Sequence, residues 1–293
     1  MNFIKLVLKT KYITTLFLCV VVIQVSSAQK VIKLSGGVTS SYSQLNFDNV
    51  LINNDIRAGY GAAFGISYQL NPKFSLHSGF GVNLYISEIE LDTYNSFENT
   101  VDVSGDAFEF RYQVNKFSEN QEFTAISVPV TIQYETEGDF RLYAKAGFEA
   151  NFFVNNRYQS SGENITTTGF FSDINAILDR PTFAGFGNFE NQEFTGTEVA
   201  IKNSYNAILE IGVKKVLKNG NAIYAGLYAK LGLNNIASTA STNGLVSYNQ
   251  DAPTSFLATS VLQAVDRQRG SETSFGKARL NVFGVNFSYE FSL

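Results

Sequence analysis

From about residue 31 to the end of the chain, apolar and polar positions alternate in eight stretches, near 31–45, 56–70, 74–91, 123–135, 140–154, 203–217, 222–236 and 276–293. A period of two is the signature of a β-strand, whose successive side chains point to opposite faces. The fifth stretch is the clearest. Phe140, Leu142, Ala144, Ala146, Phe148, Ala150, Phe152 and Val154 form one face, and Arg141, Tyr143, Lys145, Gly147, Glu149 and Asn151 the other. The fourth sets Ile126, Val128, Val130, Ile132 and Tyr134 against Ser127, Pro129, Thr131, Gln133 and Glu135, and the seventh repeats the pattern from Ile223 to Asn234.

The connections alternate in length. Asn71-Pro72-Lys73, Thr136-Glu137-Gly138-Asp139 and Lys218-Asn219-Gly220-Asn221 have the composition of tight hairpin turns. Between them fall four longer segments, near 46–55, 92–122, 155–202 and 237–275. Three short turns and both termini on one side, with four long loops on the other, is the plan of a transmembrane barrel. A sheet in lipid must pair every backbone group and so close on itself, and the stretches reach the roughly 9–11 residues needed to cross a bilayer at a tilt. The predicted fold is therefore all-β: an eight-stranded antiparallel transmembrane β-barrel with short periplasmic turns and long extracellular loops.

The first residues change the picture by giving an address. Lys5, Lys9 and Lys11, an apolar run from Ile13 to Val25 and then Ser26-Ser27-Ala28 have the form of a secretory leader, 1–28, which leaves 29–293 as the barrel domain. The apolar run is shorter than the roughly 20 residues of a spanning helix. Cys19, the one cysteine, lies inside it, and Leu18 is too bulky for a lipoprotein box. The mature chain then carries no thiol for disulfides or metal ligation. The 22 lysines and arginines less the three in the leader leave 19 against 26 acids, a net charge of −7. That balance argues against nucleic acid as a partner. The predicted location is the Gram-negative outer membrane, reached by export.

The strand Ile126-Ser127-Val128-Pro129-Val130-Thr131-Ile132-Gln133-Tyr134, a tight acidic turn and Tyr143-Ala144-Lys145-Ala146-Gly147-Phe148 together resemble the PorT-like outer-membrane β-barrel family. That resemblance implies a small outer-membrane barrel. Some relatives assist protein secretion, and no catalytic residue is carried over. The alternating Phe283, Val285, Phe287, Tyr289, Phe291 and Leu293 resemble the signal read by the barrel-assembly machinery, with leucine in place of the usual final phenylalanine.

Candidate chemistry is sparse. Arg57, Arg141, Lys145, Glu149, Glu210, Lys214, Lys230 and Glu290 are placed on the inner face, as are Lys33 and Glu135. An eight-stranded barrel is only wide enough for side chains to fill, so these charges must pair or keep water. They read as a structural polar network that locks the barrel, against the competing reading of a narrow ion path. Inner-face glycines leave room for the larger groups. His77, the one histidine, has no second histidine or cysteine with which to make a catalytic or metal site. Pro129 predicts a bulge or bend.

The third long loop carries Phe170, Phe171, Phe183, Phe186, Phe189 and Phe194. Phe183, Phe186, Phe189 and Phe194 are the candidate interaction surface, with burial in a cap over the barrel as the alternative. Ile174, Ile177 and Leu178 after Asp173, and Ala258, Val261, Leu262 and Val265 after Ser255, have helical spacing and predict two short amphipathic helices. The expected function is a structural or interaction element of the cell surface, with a role as an accessory to protein secretion implied by the resemblance, and with no enzyme activity, cofactor or metal. The alternatives are narrow porin-like transport and a lipid-modifying enzyme. Expected partners are outer-membrane lipid, the assembly machinery during insertion and a protein at the extracellular loops.

Overall fold

The computed structural model describes residues 32–49, 51–196, 198–238, 241–267 and 273–292. The leader predicted at 1–28 and the final Leu293 lie outside the described residues. The strands are β1 (Ile32–Phe47), β2 (Asn53–Gln69), β3 (Phe74–Val101), β4 (Ala107–Glu135), β5 (Phe140–Phe171), β6 (Ala176–Leu178), β7 (Gly187–Gly196), β8 (Ser204–Val216), β9 (Ala222–Gly232), β10 (Val246–Ser247), β11 (Leu257–Ala258), β12 (Val265–Asp266), β13 (Thr273–Ser274) and β14 (Ala278–Ser292). Neighbours pair antiparallel in the order β1-β2-β3-β4-β5-β8-β9-β14, and β14 returns to β1 with Lys33 opposite Ser292. This is the eight-stranded closed ring read from the alternation. No described helix is long and apolar enough to cross a membrane.

An outward apolar band encircles the ring. On β4 it runs over the nine residues Ile126–Tyr134, where Ile126, Val128, Val130, Ile132 and Tyr134 are exposed. Leu34, Val38, Phe64, Phe80, Phe148, Leu209, Leu227 and Phe287 continue it around the wall. Aromatic rings mark both margins. Phe74 and Tyr134 lie 5.3 Å apart near the short turns, and Tyr42 stacks on Phe283 at 5.5 Å towards the long loops. A band of this height bordered by aromatics is the lipid-facing surface of an outer-membrane barrel.

Above the band the faces exchange roles. Phe108, Phe110, Tyr112, Val114, Phe117 and Phe123 of β4 point inward and are buried, while the outward positions become Glu109, Arg111, Gln113 and Asn115. Lipid surrounds the lower wall, and water surrounds the upper one. The same strand is thus apolar-out below and apolar-in above. β3, β4 and β5 run to 28, 29 and 32 residues and rise with β7 as a four-stranded tower. The segments 92–122 and 155–202, read as loops, are mostly this tower.

One row of the tower breaks the alternation in every strand. Leu91 pairs Phe117 and Thr93 pairs Asn115, with Asp92 and Lys116 skipped, and Glu163 and Asn191 are skipped at the same level. Lys116 and Asn191 have φ of 48° and 49°, and Lys116 pairs Glu163 at 3.0 Å. On β3 the inward residues change there from Ile89 and Leu91 to Tyr94 and Ser96. A further slip at Val154 lets Asn155 oppose Thr124 and Phe153 oppose Ala125.

Three local expectations are corrected. Pro129 makes no bulge: the β3–β4 register is the same on both sides of it, from Ser78 opposite Val130 to Gly81 opposite Ser127, and Ser78 Oγ donates to the Pro129 carbonyl at 3.0 Å. The helix expected after Asp173 is a tight turn through Asn175, at φ 50°, into β6. The helix expected after Ser255 is extended chain with turns, which buries Val261 and Leu262. The helical spacing of Ala258, Val261, Leu262 and Val265 arose because a loop folded on a core also buries residues three or four apart.

Gly147 shows how tightly the wall is built. A Cβ there would overlap the Val130 carbonyl and the Thr131 backbone, which are fixed by the β4–β5 ladder. Gly147→Ala is expected to cost about 1–3 kcal/mol through overpacking. The check is the urea midpoint of the folded band on unheated gels, and an unchanged midpoint would contradict it.

Candidate functional site

Within the band, the inward face of the barrel is filled by two belts of ion pairs. In the lower belt Lys214 Nζ, almost fully buried, reaches Glu135 at 2.9 Å and Glu290 at 3.3 Å. Arg141 completes Glu135 and Lys33 completes Glu290, at 2.5 and 3.0 Å. The Tyr224 hydroxyl and Ser67 Oγ donate to Glu290 at 3.0 and 3.2 Å, and Gln133 donates to Glu135 at 2.7 Å. Seven strands contribute to one network across the lumen. Such burial is tolerable because each carboxylate meets cations and neutral donors together.

The upper belt is simpler. Lys230 Nζ holds both oxygens of Glu149, at 2.8 and 3.0 Å, and donates to the Tyr85 hydroxyl at 3.3 Å. Tyr85 passes the chain to Asn151 at 3.2 Å, and Asn151 donates to Asn206 at 2.9 Å. Between the belts Lys145 faces Glu210 at 3.4 Å, and the Tyr143 hydroxyl donates to Glu210 at 2.6 Å. Alongside lies a cavity of about 160 Å³, whose border includes His77, Asn83, Glu149, Glu210 and Lys230 together with Phe64, Pro129 and Ile208.

The structure thus brings together Arg141, Lys145, Glu149, Glu210, Lys214, Lys230 and Glu290 inside the lumen. Arg57 is the exception. The β2–β3 register shifts between Ile56 and Tyr60, and Arg57 emerges nearly half exposed at the upper rim, paired with Glu88. His77 Nε2 lies 2.9 Å from Ser75 Oγ. Among the described residues no cluster of three or more His, Cys, Asp or Glu side chains could hold a metal ion.

The four phenylalanines of the third loop separate. Phe186 and Phe194 are buried, at 3 % and 7 % exposure, and Phe189 packs edge-on against Phe256 at 4.8 Å. Phe183 alone is open, at 77 %. Phe186 joins Phe108, Phe171 and Tyr248 in a cluster of rings with centroids 5.1–6.4 Å apart. Phe110 and Phe256 extend it.

Sequence reasoning missed the residues that hold the last loop, 237–275, inside the tower. Glu119, fully buried well above the lipid band, accepts from Gln121 Nε2 at 2.6 Å, Ser260 Oγ at 2.7 Å, Val261 N at 3.1 Å and Ser160 Oγ at 3.2 Å. Glu98 accepts from Tyr248 N at 2.7 Å and Ser247 Oγ at 2.9 Å. Burial pushes both carboxyls above the ordinary range, although these donors pull the other way. Tyr94 donates to Asp266 at 3.1 Å. Phe108, Phe110, Tyr112 and Val114 do alternate, which marks a short strand, but that run stops before the slip at Lys116 and does not reach Glu119.

Comparison with known proteins places this geometry. No curated protein matches the chain. Solved structures similar to it include Neisserial surface protein A (NspA), at 7 % identity over 89 % of this chain and 97 % of that one, with a TM-score of 0.34. OprG of Pseudomonas aeruginosa is 11 % identical over 90 % of this chain and 97 % of its own, with a TM-score of 0.35. Ail of Yersinia pestis is 8 % identical over 90 % and 99 %, with a TM-score of 0.31. The family described as outer membrane protein beta-barrel domain matches residues 15–187, more than half of the chain. With a closed eight-stranded ring and a lipid-facing band, the chain belongs to the outer membrane protein beta-barrel domain family and is a protein of the Gram-negative outer membrane.

Proposed function

We propose that this barrel is a non-catalytic surface element that presents its extracellular tower to a protein partner, and that it is an accessory to protein secretion of the PorT-like kind. The carrying observation is the division of labour along the axis. The lumen is closed by ion pairs, whereas the upper strands enclose a separate aromatic core and hold the last loop by buried carboxylates. A platform so braced is suited to recognition, because ordering it costs nothing further on binding. Phe183, exposed as are Ile174 and Ile177 of the same loop, is the one member of the phenylalanine set available to a partner directly.

Two measurements test this reading. The purified full-length protein is expected to give no steady conductance in planar bilayers, and a photo-crosslinker at position 183 is expected to yield a discrete adduct on intact cells. Steady conductance without an adduct would replace it with porin-like transport.

A further inference from the structure

We propose that the open edge of β3 above the membrane, Thr93–Val101, is a strand acceptor that takes up an extended, basic segment of another polypeptide. This rests on the interaction reading above and names the partner's chemistry. β2 accompanies β3 only as far as Asn53 opposite Glu90. Beyond that, β4 pairs one side continuously from Thr93 opposite Asn115 to Val101 opposite Ala107. On the other side no described strand pairs with it, and no described backbone group bonds to it. In an antiparallel ladder alternate residues turn both N–H and C=O to one side, so this edge offers a row of unused donors and acceptors.

Protein edges are ordinarily blunted by lysine, proline or a bulge. Leu91–Val101 contains no lysine, arginine, proline or glycine, and its one irregularity, at Asp92, precedes the stretch. The tower's opposite edge, β7, is interrupted halfway by Asn191 in the left-handed region. The β3 edge is also held ready. Tyr94 is fully buried with its hydroxyl on Asp266, and Glu98 is fixed by Ser247 and Tyr248, while Thr93, Asn95, Phe97 and Asn99 stay exposed on the other face. Nine residues present roughly 30 Å of extended chain. Strand addition of this kind gains its affinity from the backbone and its selectivity from alternate side chains.

The charge selects the partner. From Glu88 to Asp106 there are six acids and no lysine or arginine. Arg57 takes Glu88 and the last loop takes Glu98, but Glu90, Asp92 and Asp106 are exposed with no ion pair among the described residues. An incoming strand with lysine or arginine on alternate residues meets this field favourably.

The test uses the full-length protein in nanodiscs and three nine-residue fluorescent peptides: alternating Thr and Lys, the same sequence N-methylated at alternate backbone nitrogens, and alternating Thr and Glu. The Thr/Lys peptide is expected to bind at least tenfold tighter than the other two and to slow amide exchange over Thr93–Val101 at least tenfold. The double substitution Asn95→Lys and Phe97→Lys, on the solvent face, is expected to lower that affinity at least tenfold while leaving the gel mobility of the folded barrel unchanged. Equal binding of the methylated peptide would reduce the effect to charge attraction and overturn the proposal, as would absence of binding. An adduct at position 183 with no peptide binding would remove the edge proposal alone. Peptide binding with no adduct would retain the edge and remove the tower top from the interface.

Discussion

Lys230→Met is expected to destabilise the barrel by about 3–5 kcal/mol, because it leaves a buried carboxylate without its cation. Lys230 and Glu149 are both buried, and Lys230 holds both oxygens of Glu149 at 2.8 and 3.0 Å. No other described cation pairs with Glu149, since Lys145 is engaged with Glu210. The lower belt provides the internal comparison. Lys214→Met leaves Arg141 on Glu135 and Lys33 on Glu290, so each carboxylate keeps one cation and the loss should be smaller. Pairing Lys230→Met with Glu149→Gln should recover much of the loss, because the penalty lies in the orphaned charge. The chain has no tryptophan, so the readout is the urea midpoint of the folded band on unheated gels. A Lys230→Met shift no larger than that of Lys214→Met would refute the argument.

Glu119→Ala should release the last loop from the tower and leave the membrane barrel intact. Four donors lose their acceptor together, and those that stay buried cost about 1–3 kcal/mol each. Amide exchange within 258–264 should accelerate at least a hundredfold, and proteases should cut there first, with the heat-dependent gel shift preserved. The same carboxylate gives the attachment a pH dependence. Burial raises the pKa of Glu119 and Glu98 in the closed state, so that state binds protons more tightly than the released one. The stabilisation is fully present below the ordinary carboxylate range, and it is lost as pH rises through the raised values. Opening of 258–264, corrected for intrinsic exchange, should therefore increase with pH, and Glu119→Gln should flatten most of that slope. A slope of opposite sign would mean that the four donors outweigh burial.

The membrane half of the fold was legible because lipid outside and polar groups inside enforce one uninterrupted alternation, as on Ile126–Tyr134. The tower was not, for two physical reasons. Its faces are inverted, so a pattern followed upward from Val128 meets Glu122 and Asn120 on the side that had been apolar. Its phase also slips at Asp92, Lys116, Glu163 and Asn191, which breaks a period-two reading in all four strands at one level. The lumen charges were found because alternation assigns a face without tertiary information. Arg57 was misplaced because a register shift between Ile56 and Tyr60 cannot be heard in composition. Glu119 was invisible because its partners at Ser160 and Ser260 come from distant segments.

The exchange of faces also gives the protein a fixed waterline. A barrel greasy along its whole wall could ride higher or lower as the bilayer thickened or thinned. Here, sinking by a few residues would draw Glu122 and Asn120 towards hydrocarbon, and rising would lift Val82, Ile126 and Phe152 into water. A bilayer of another thickness must therefore adjust around the barrel, by stretching its lipids or by tilting the cylinder. Whatever the tower meets, it meets at a constant height above the cell.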